Sequence, residues 1–169
     1  LKWNKDHIAS IKETIPKNNR NVWLRDVRCY IDSDKKESTS LFKQLDACLL
    51  NSTFDDDDIF IPLFYKITDH FNQYMTNDDI NGISNLALLD ESTNKSYKNA
   101  VFPLKRKRII DLDKNGEFVP LCTKNTFLKY FSDYPPKISF WSQDDREMYE
   151  KDLVRVLSEY MEVDHNDTK

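Results

Sequence analysis

Apolar positions along this chain recur mostly at helical spacing, and the exceptions fall in two short stretches. Val22, Trp23, Val27, Tyr30 and Ile31 share one helical face and predict a helix across 22–31. Leu41, Phe42, Leu45, Cys48 and Leu49 predict a second helix, with Ser40 as its N-cap. Phe60, Leu63, Phe64, Ile67, Phe71 and Tyr74 predict a third. The four aspartates at 55–58 stand at its start, where the helix dipole favours negative charge. Capping and a solvated first turn account for them better than a metal site does. Two stretches have strand length. One is 1–8, ending near His7; the other is 83–89, after Gly82 breaks the helical pattern. Beyond Asn94 the chain turns into a helix carrying Val101, Phe102 and Leu104, with Pro103 restricting where it begins. Asn115-Gly116 signals a turn and Phe118-Val119 a brief strand. Thr123 caps a helix with Phe127, Leu128 and Phe131, and Pro135-Pro136 marks a loop. A last helix carries Met148, Tyr149, Leu153, Val156, Leu157 and Tyr160 before a polar, frayed tail. The sum is an α+β fold, mainly α, with one small sheet.

Composition narrows the functional classes. The chain has 169 residues, enough for one domain with a core. Apolar residues are 39% and charged residues 32%, as in ordinary globular proteins, and no apolar run approaches the roughly 20 residues of a membrane span. No signal peptide is visible in the first residues, which are polar and charged. The first residue is not Met and the first segment already reads as a strand, so a fragment of a longer protein is expected. The three cysteines, Cys29, Cys48 and Cys122, are widely spaced with no CxxC pair. This offers neither a zinc knuckle nor a redox motif and fits a reduced, cytoplasmic compartment. Each is read as a small buried hydrophobe. With only Gly82 and Gly116, glycine-rich phosphate loops are absent. The formal net charge of −4 counts mildly against nucleic acid, but its distribution is uneven. Between Ser92 and Ile110 there is no acid, yet Lys95, Lys98, Lys105, Arg106, Lys107 and Arg108 are all present. As a bland alternative, 105–108 is a solvated helix face.

Of the three histidines, His165 lies in the tail and His70 reads as a surface or core-edge residue on the third helix. His7 follows Asp6 at a strand end. An imidazole can take a proton from water at neutral pH, and a hard divalent ion needs only one or two protein oxygens beside water and phosphate. Asp6 with a side-chain amide oxygen, Asn94 being the candidate, supplies such a pair. Strand alternation counts against this, because adjacent side chains face opposite ways unless the strand ends or distorts there. The aromatic residues Phe127, Tyr130, Phe131 and Trp141 read as core rather than as a base-stacking platform.

The segment DHI, followed by NLALLDESTNKSYKN, resembles the HNH (ββα-metal) nuclease motif. SNLALLDESTNKSYKN, then Phe102 and Lys105-Arg106, then PLCTKNTFLKY, resembles more closely the HNH-like C-terminal domain of GmrSD-type modification-dependent restriction and phage-defence proteins. The likeness covers 82–131 and, through WNKDHIAS, 3–10. Ser84 stands where that family has glycine. The resemblance implies a ββα-metal core from 1–10 plus 82–110, a large helical insertion at 11–81 and a helical C-terminal part at 111–163. It implies His7 as general base, Asp6 and Asn94 as ligands of Mg²⁺ or Mn²⁺, and Asn85 as the residue tying the strands, with Asn99 supporting the loop. Lys95, Lys98, Lys105, Arg106 and Arg108 would touch phosphate. The implied activity is metal-dependent DNA cleavage, as the effector of a defence protein whose N-terminal NTPase domain selects the target. Homodimerisation for double-strand breaks is compatible with it. A non-catalytic DNA- or protein-binding module and an RNA-directed nuclease are the alternatives.

Overall fold

The computed structural model describes residues 3–9, 14–90, 100–132 and 137–160. It is mainly helical with one two-stranded antiparallel sheet. Strand β1 (Trp3–His7) pairs with β2 (Leu86–Asp90), setting Trp3 opposite Asp90, Lys5 opposite Leu88, Asp6 opposite Ala87 and His7 opposite Leu86. Between the strands run α1 (Arg20–Arg28), α2 (Lys36–Leu50), α3 (Asp57–Phe71) and a 3-10 turn (Ile83–Asn85). After β2 come α4 (Phe102–Lys114), α5 (Leu121–Leu128) and α6 (Gln143–Leu157).

There are two buried clusters. The insertion closes on Val27, Leu45, Phe60, Phe64 and Ile67, which the spacing places on apolar faces, and on Leu24, which it does not; Val22, read on the first face, is exposed, and Tyr30 and Ile31 lie beyond the end of α1. Arg20 is buried beside this cluster: it donates to the Pro16 carbonyl, pairs with Asp57 at 2.6 Å and lies over the Phe60 ring. The second cluster joins the hairpin to the last three helices through Ile8, Ala87, Leu89, Phe102, Ile109, Phe127, Trp141 and Tyr149.

Several local expectations are corrected. Helix α2 begins at Lys36, with Lys35 in the N-cap position, so Ser40 lies inside it. Its polar opening turn is fastened by Ser38, whose hydroxyl donates to the Asp32 carbonyl. Thr123 lies within α5 rather than before it, and Phe118-Val119 forms no strand. Tyr74 lies beyond the end of α3. Asp56, one of the four aspartates, does cap α3, accepting from the Asp58 amide. Only Cys48 is buried; Cys29 and Cys122 are exposed. Tyr130 is exposed, whereas Phe127 and Trp141 are core residues. Among the described residues no helix is long and apolar enough to cross a membrane.

Candidate functional site

Strand alternation fixes where Asp6 and His7 point. Asn4 and Asp6 stand opposite the buried Leu89 and Ala87, on the face that packs against the helices. From there Asp6 Oδ2 accepts from Lys105 Nζ at 3.1 Å, Lys105 being on the buried side of α4. The same ammonium donates to the His7 carbonyl at 2.6 Å. The His7 ring leaves the other face, where Nε2 meets Asn81 Oδ1 at 3.2 Å. The two neighbours thus address opposite faces, and one lysine holds both the Asp6 carboxylate and the His7 carbonyl.

The end of β1 is clamped by Asn85, which has no exposed surface. Its Oδ1 accepts from the Ala9 amide at 2.9 Å, and its Nδ2 donates to the Ala9 carbonyl at 2.8 Å and the Ile80 carbonyl at 2.9 Å. Its own carbonyl accepts from the Ile8 amide at 2.8 Å. An amide is the one side chain that offers an acceptor and two donors on one small group, which is what this pattern needs. The outer edge of β2 is closed as well. The Leu88 carbonyl accepts from Thr123 Oγ1 at 2.5 Å, and the Leu86 carbonyl from the Tyr149 hydroxyl at 3.2 Å. Burial pushes the Tyr149 phenol up, which keeps it a donor.

Of the other expected site residues, Asn94, Lys95, Lys98 and Asn99 lie outside the described residues. Lys105 is corrected: its side chain is 4% exposed and engaged by Asp6, so it does not face a phosphate. Arg106 and Arg108 lie on the more open flank of α4, where Lys107 is paired with Asp111 at 2.6 Å. The sequence held a signal for Lys105. It falls three residues after Phe102 and four before Ile109, on the buried stripe of α4. Asn81 was missed, since Asn81-Gly82 reads as a turn and no more.

No group of three or more His, Cys, Asp or Glu gathers among the described residues. The available hard ligand is Asp6, whose side chain is 17% exposed and whose Oδ1 makes no hydrogen bond with a described residue. One such oxygen matches the modest protein share in a Mg²⁺ shell completed by phosphate and water. It matches neither a zinc site nor an all-protein calcium cage. Compared with protein-family models, curated proteins and solved structures, the chain finds no match in any of the three.

Proposed function

We propose that this chain is a metal-dependent endonuclease domain that hydrolyses phosphodiester bonds in DNA, as the effector of a cytoplasmic restriction or anti-phage defence protein. One observation carries the reading: an antiparallel strand pair followed by helix α4, with Asp6 and His7 at the end of β1 and Asn85 clamping that end. The motif resemblance described above supplies the chemistry.

His7 is the general base: its ring leaves the face opposite Asp6, but it is the last residue of β1, so the reading requires the substrate phosphate to lie at that strand end, where both side chains would reach it. Asn81 Oδ1 is an acceptor, so Nε2 carries the proton and Nδ1 is left with the lone pair that can take one from water. Asp6, together with Asn94, would hold Mg²⁺ or Mn²⁺, which when bound supplies the positive charge that a phosphodiester transition state needs. Lys105 acts on Asp6 rather than on the substrate. It keeps one carboxylate oxygen occupied and leaves Oδ1 to the site. Lys95, Lys98, Arg106 and Arg108 are the phosphate contacts, which position a strand without reading its sequence. An N-terminal NTPase domain in the full-length protein would choose the target, and a homodimer would make double-strand breaks.

The test is supercoiled plasmid with Mg²⁺ or Mn²⁺, comparing the wild type with His7→Ala and Asn94→Ala. Cleavage by the wild type alone, stopped by EDTA, is expected. Equal behaviour of all three proteins overturns the assignment. A second reading draws on the Lys105–Asp6 pair: a carboxylate already neutralised by a buried ammonium suits a non-catalytic DNA-binding module. DNA binding with no cleavage in either metal selects that reading, and competition by RNA identifies an RNA substrate.

A further inference from the structure

The β1 register places Trp3, Lys5 and His7 on one face of the hairpin and Asn4 and Asp6 on the other. On the first face Trp3 is 43% exposed, Lys5 is exposed, and Leu88 opposite Lys5 is 47% exposed. The other two tryptophans are engaged in the interior. Trp141 is buried, and Trp23 packs against Phe60 and Phe64. Trp3 is held differently: Phe118 meets its ring edge-to-face, with centroids 6.1 Å apart and planes at 64°. That contact fixes the indole while leaving much of it to solvent.

We infer that this face is a track for an unpaired nucleic-acid strand, with Trp3 as stacking platform, Lys5 as phosphate contact and His7 at its far end. The inference rests on the nuclease reading only for what happens at His7. An aromatic ring exposed beside a cation is the pairing by which proteins hold single strands: bases stack on the ring and the cation follows the backbone. Within a duplex the base faces are stacked on one another, so the platform selects unpaired substrate. The distances suit it. Trp3 to His7 spans four residues of strand, about 13–14 Å, or about four nucleotides at a stacked rise of about 3.4 Å. Lys5 lies between Trp3 and His7 on this face, so a phosphate held by it sits between the stacking platform and the imidazole.

The test uses the full chain in EDTA, so that binding is read without cleavage, with a short fluorescent oligothymidylate and a duplex of the same length as probes. The single strand should quench part of the tryptophan emission and bind more tightly than the duplex. Trp3→Ala should remove the quenching and weaken binding about 10-fold. Trp3→Phe should keep most of the affinity, Lys5→Ala should lower the salt slope by about one, and Tyr130→Ala, an exposed aromatic elsewhere, should change nothing. Equal affinity of Trp3→Ala and wild type, tighter binding of duplex, or no binding of either probe overturns the inference. The two readings fail separately. Trp3-dependent binding by a protein that never cuts plasmid keeps this inference and sinks the nuclease. His7-dependent cutting with a silent Trp3→Ala does the reverse.

Discussion

Replacing Asn85 by aspartate changes one atom and tests the clamp at the end of β1. The wild-type amide is fully buried and makes three side-chain hydrogen bonds, two of them donated by Nδ2 to the Ala9 and Ile80 carbonyls. In Asn85→Asp, Oδ1 still accepts from the Ala9 amide, but an oxygen now faces two carbonyl oxygens. Two orphaned acceptors cost about 1–3 kcal/mol each when buried, with incomplete additivity, and an unpaired buried carboxylate adds to that. The expected loss is about 3–5 kcal/mol at pH 7. Asn85→Ala orphans three groups but buries no charge and should cost about 2–4 kcal/mol. The pH dependence separates the two. Burial raises the folded pKa of the new carboxyl above its unfolded value, so the unfolded state holds fewer protons and stability recovers as pH falls through the raised value. Protonation also restores one donor. Urea unfolding at pH 7 and pH 5, with a common m-value checked, measures both effects. Asn85→Asp within about 1 kcal/mol of wild type, or no narrowing of its gap to Asn85→Ala on acidification relative to the wild type's own slope, refutes the reasoning.

Three further outcomes are expected. Lys105→Met strands the Asp6 carboxylate and the His7 carbonyl and should cost about 2–3 kcal/mol, tempered by the partial exposure of Asp6; a double-mutant cycle with Asp6→Asn should show coupling above about 0.5 kcal/mol. Lys129→Met removes the donor to the Lys137 and Phe140 carbonyls and to Asp145, at 2.9, 2.6 and 2.7 Å, so a loss of about 3 kcal/mol or more is expected in thermal or urea unfolding. Burial first, and the nearby Lys35 charge second, hold His70 below its ordinary value. The unfolded chain therefore binds the extra proton first, and stability should fall as pH drops from about 6.5 toward the folded value; His70→Gln should flatten that slope in a pH series of melts.

What the sequence could reveal followed from how each residue is used. Helical spans were legible where one apolar face meets one core, as at Phe60, Leu63, Phe64 and Ile67. Their starts were less so, because α2 opens with a polar turn at Lys36 that no apolar spacing reports. The strand ending at His7 was legible as a boundary, and the register then answers the alternation argument: Asp6 and His7 do face opposite ways. Buried cations were the main miss. Arg20, Lys105, Lys129 and Arg146 are all charged in a sequence listing, yet each ends on carbonyls and carboxylates inside the fold. The long-range partners of Lys105 and Arg146 stand 67 to 99 residues away and those of Lys129 across a loop 8 to 16 residues on, at spacings no helical or strand period reports, and the position of Lys105 on an apolar stripe was the one cue available.

These long-range contacts decide which parts of the chain the site depends on. A two-stranded sheet is marginal by itself in water. Here its inner face lies on Phe102, Ile109 and Trp141, and the edge of β2 is met by hydroxyls from α5 and α6. The Trp141 indole also donates to the Ser84 carbonyl at 3.1 Å, just before β2. Helices α4 to α6 are therefore structural parts of the His7 site. The cluster of the insertion also takes in Val101 and Leu104 at the start of α4, so the insertion meets that site both through α4, beside Lys105, and through the loop that carries Asn81 and Asn85. That loop is itself tied to α6: Asp79 accepts from Arg146 at 3.0 Å and from the Thr76 hydroxyl at 2.6 Å. A change in the packing of α6 thus reaches His7 through Asp79 and the loop of Asn81, and one in the core of the insertion reaches it through Val101, whose carbonyl accepts from the Lys105 amide, and the Lys105 ammonium on the His7 carbonyl.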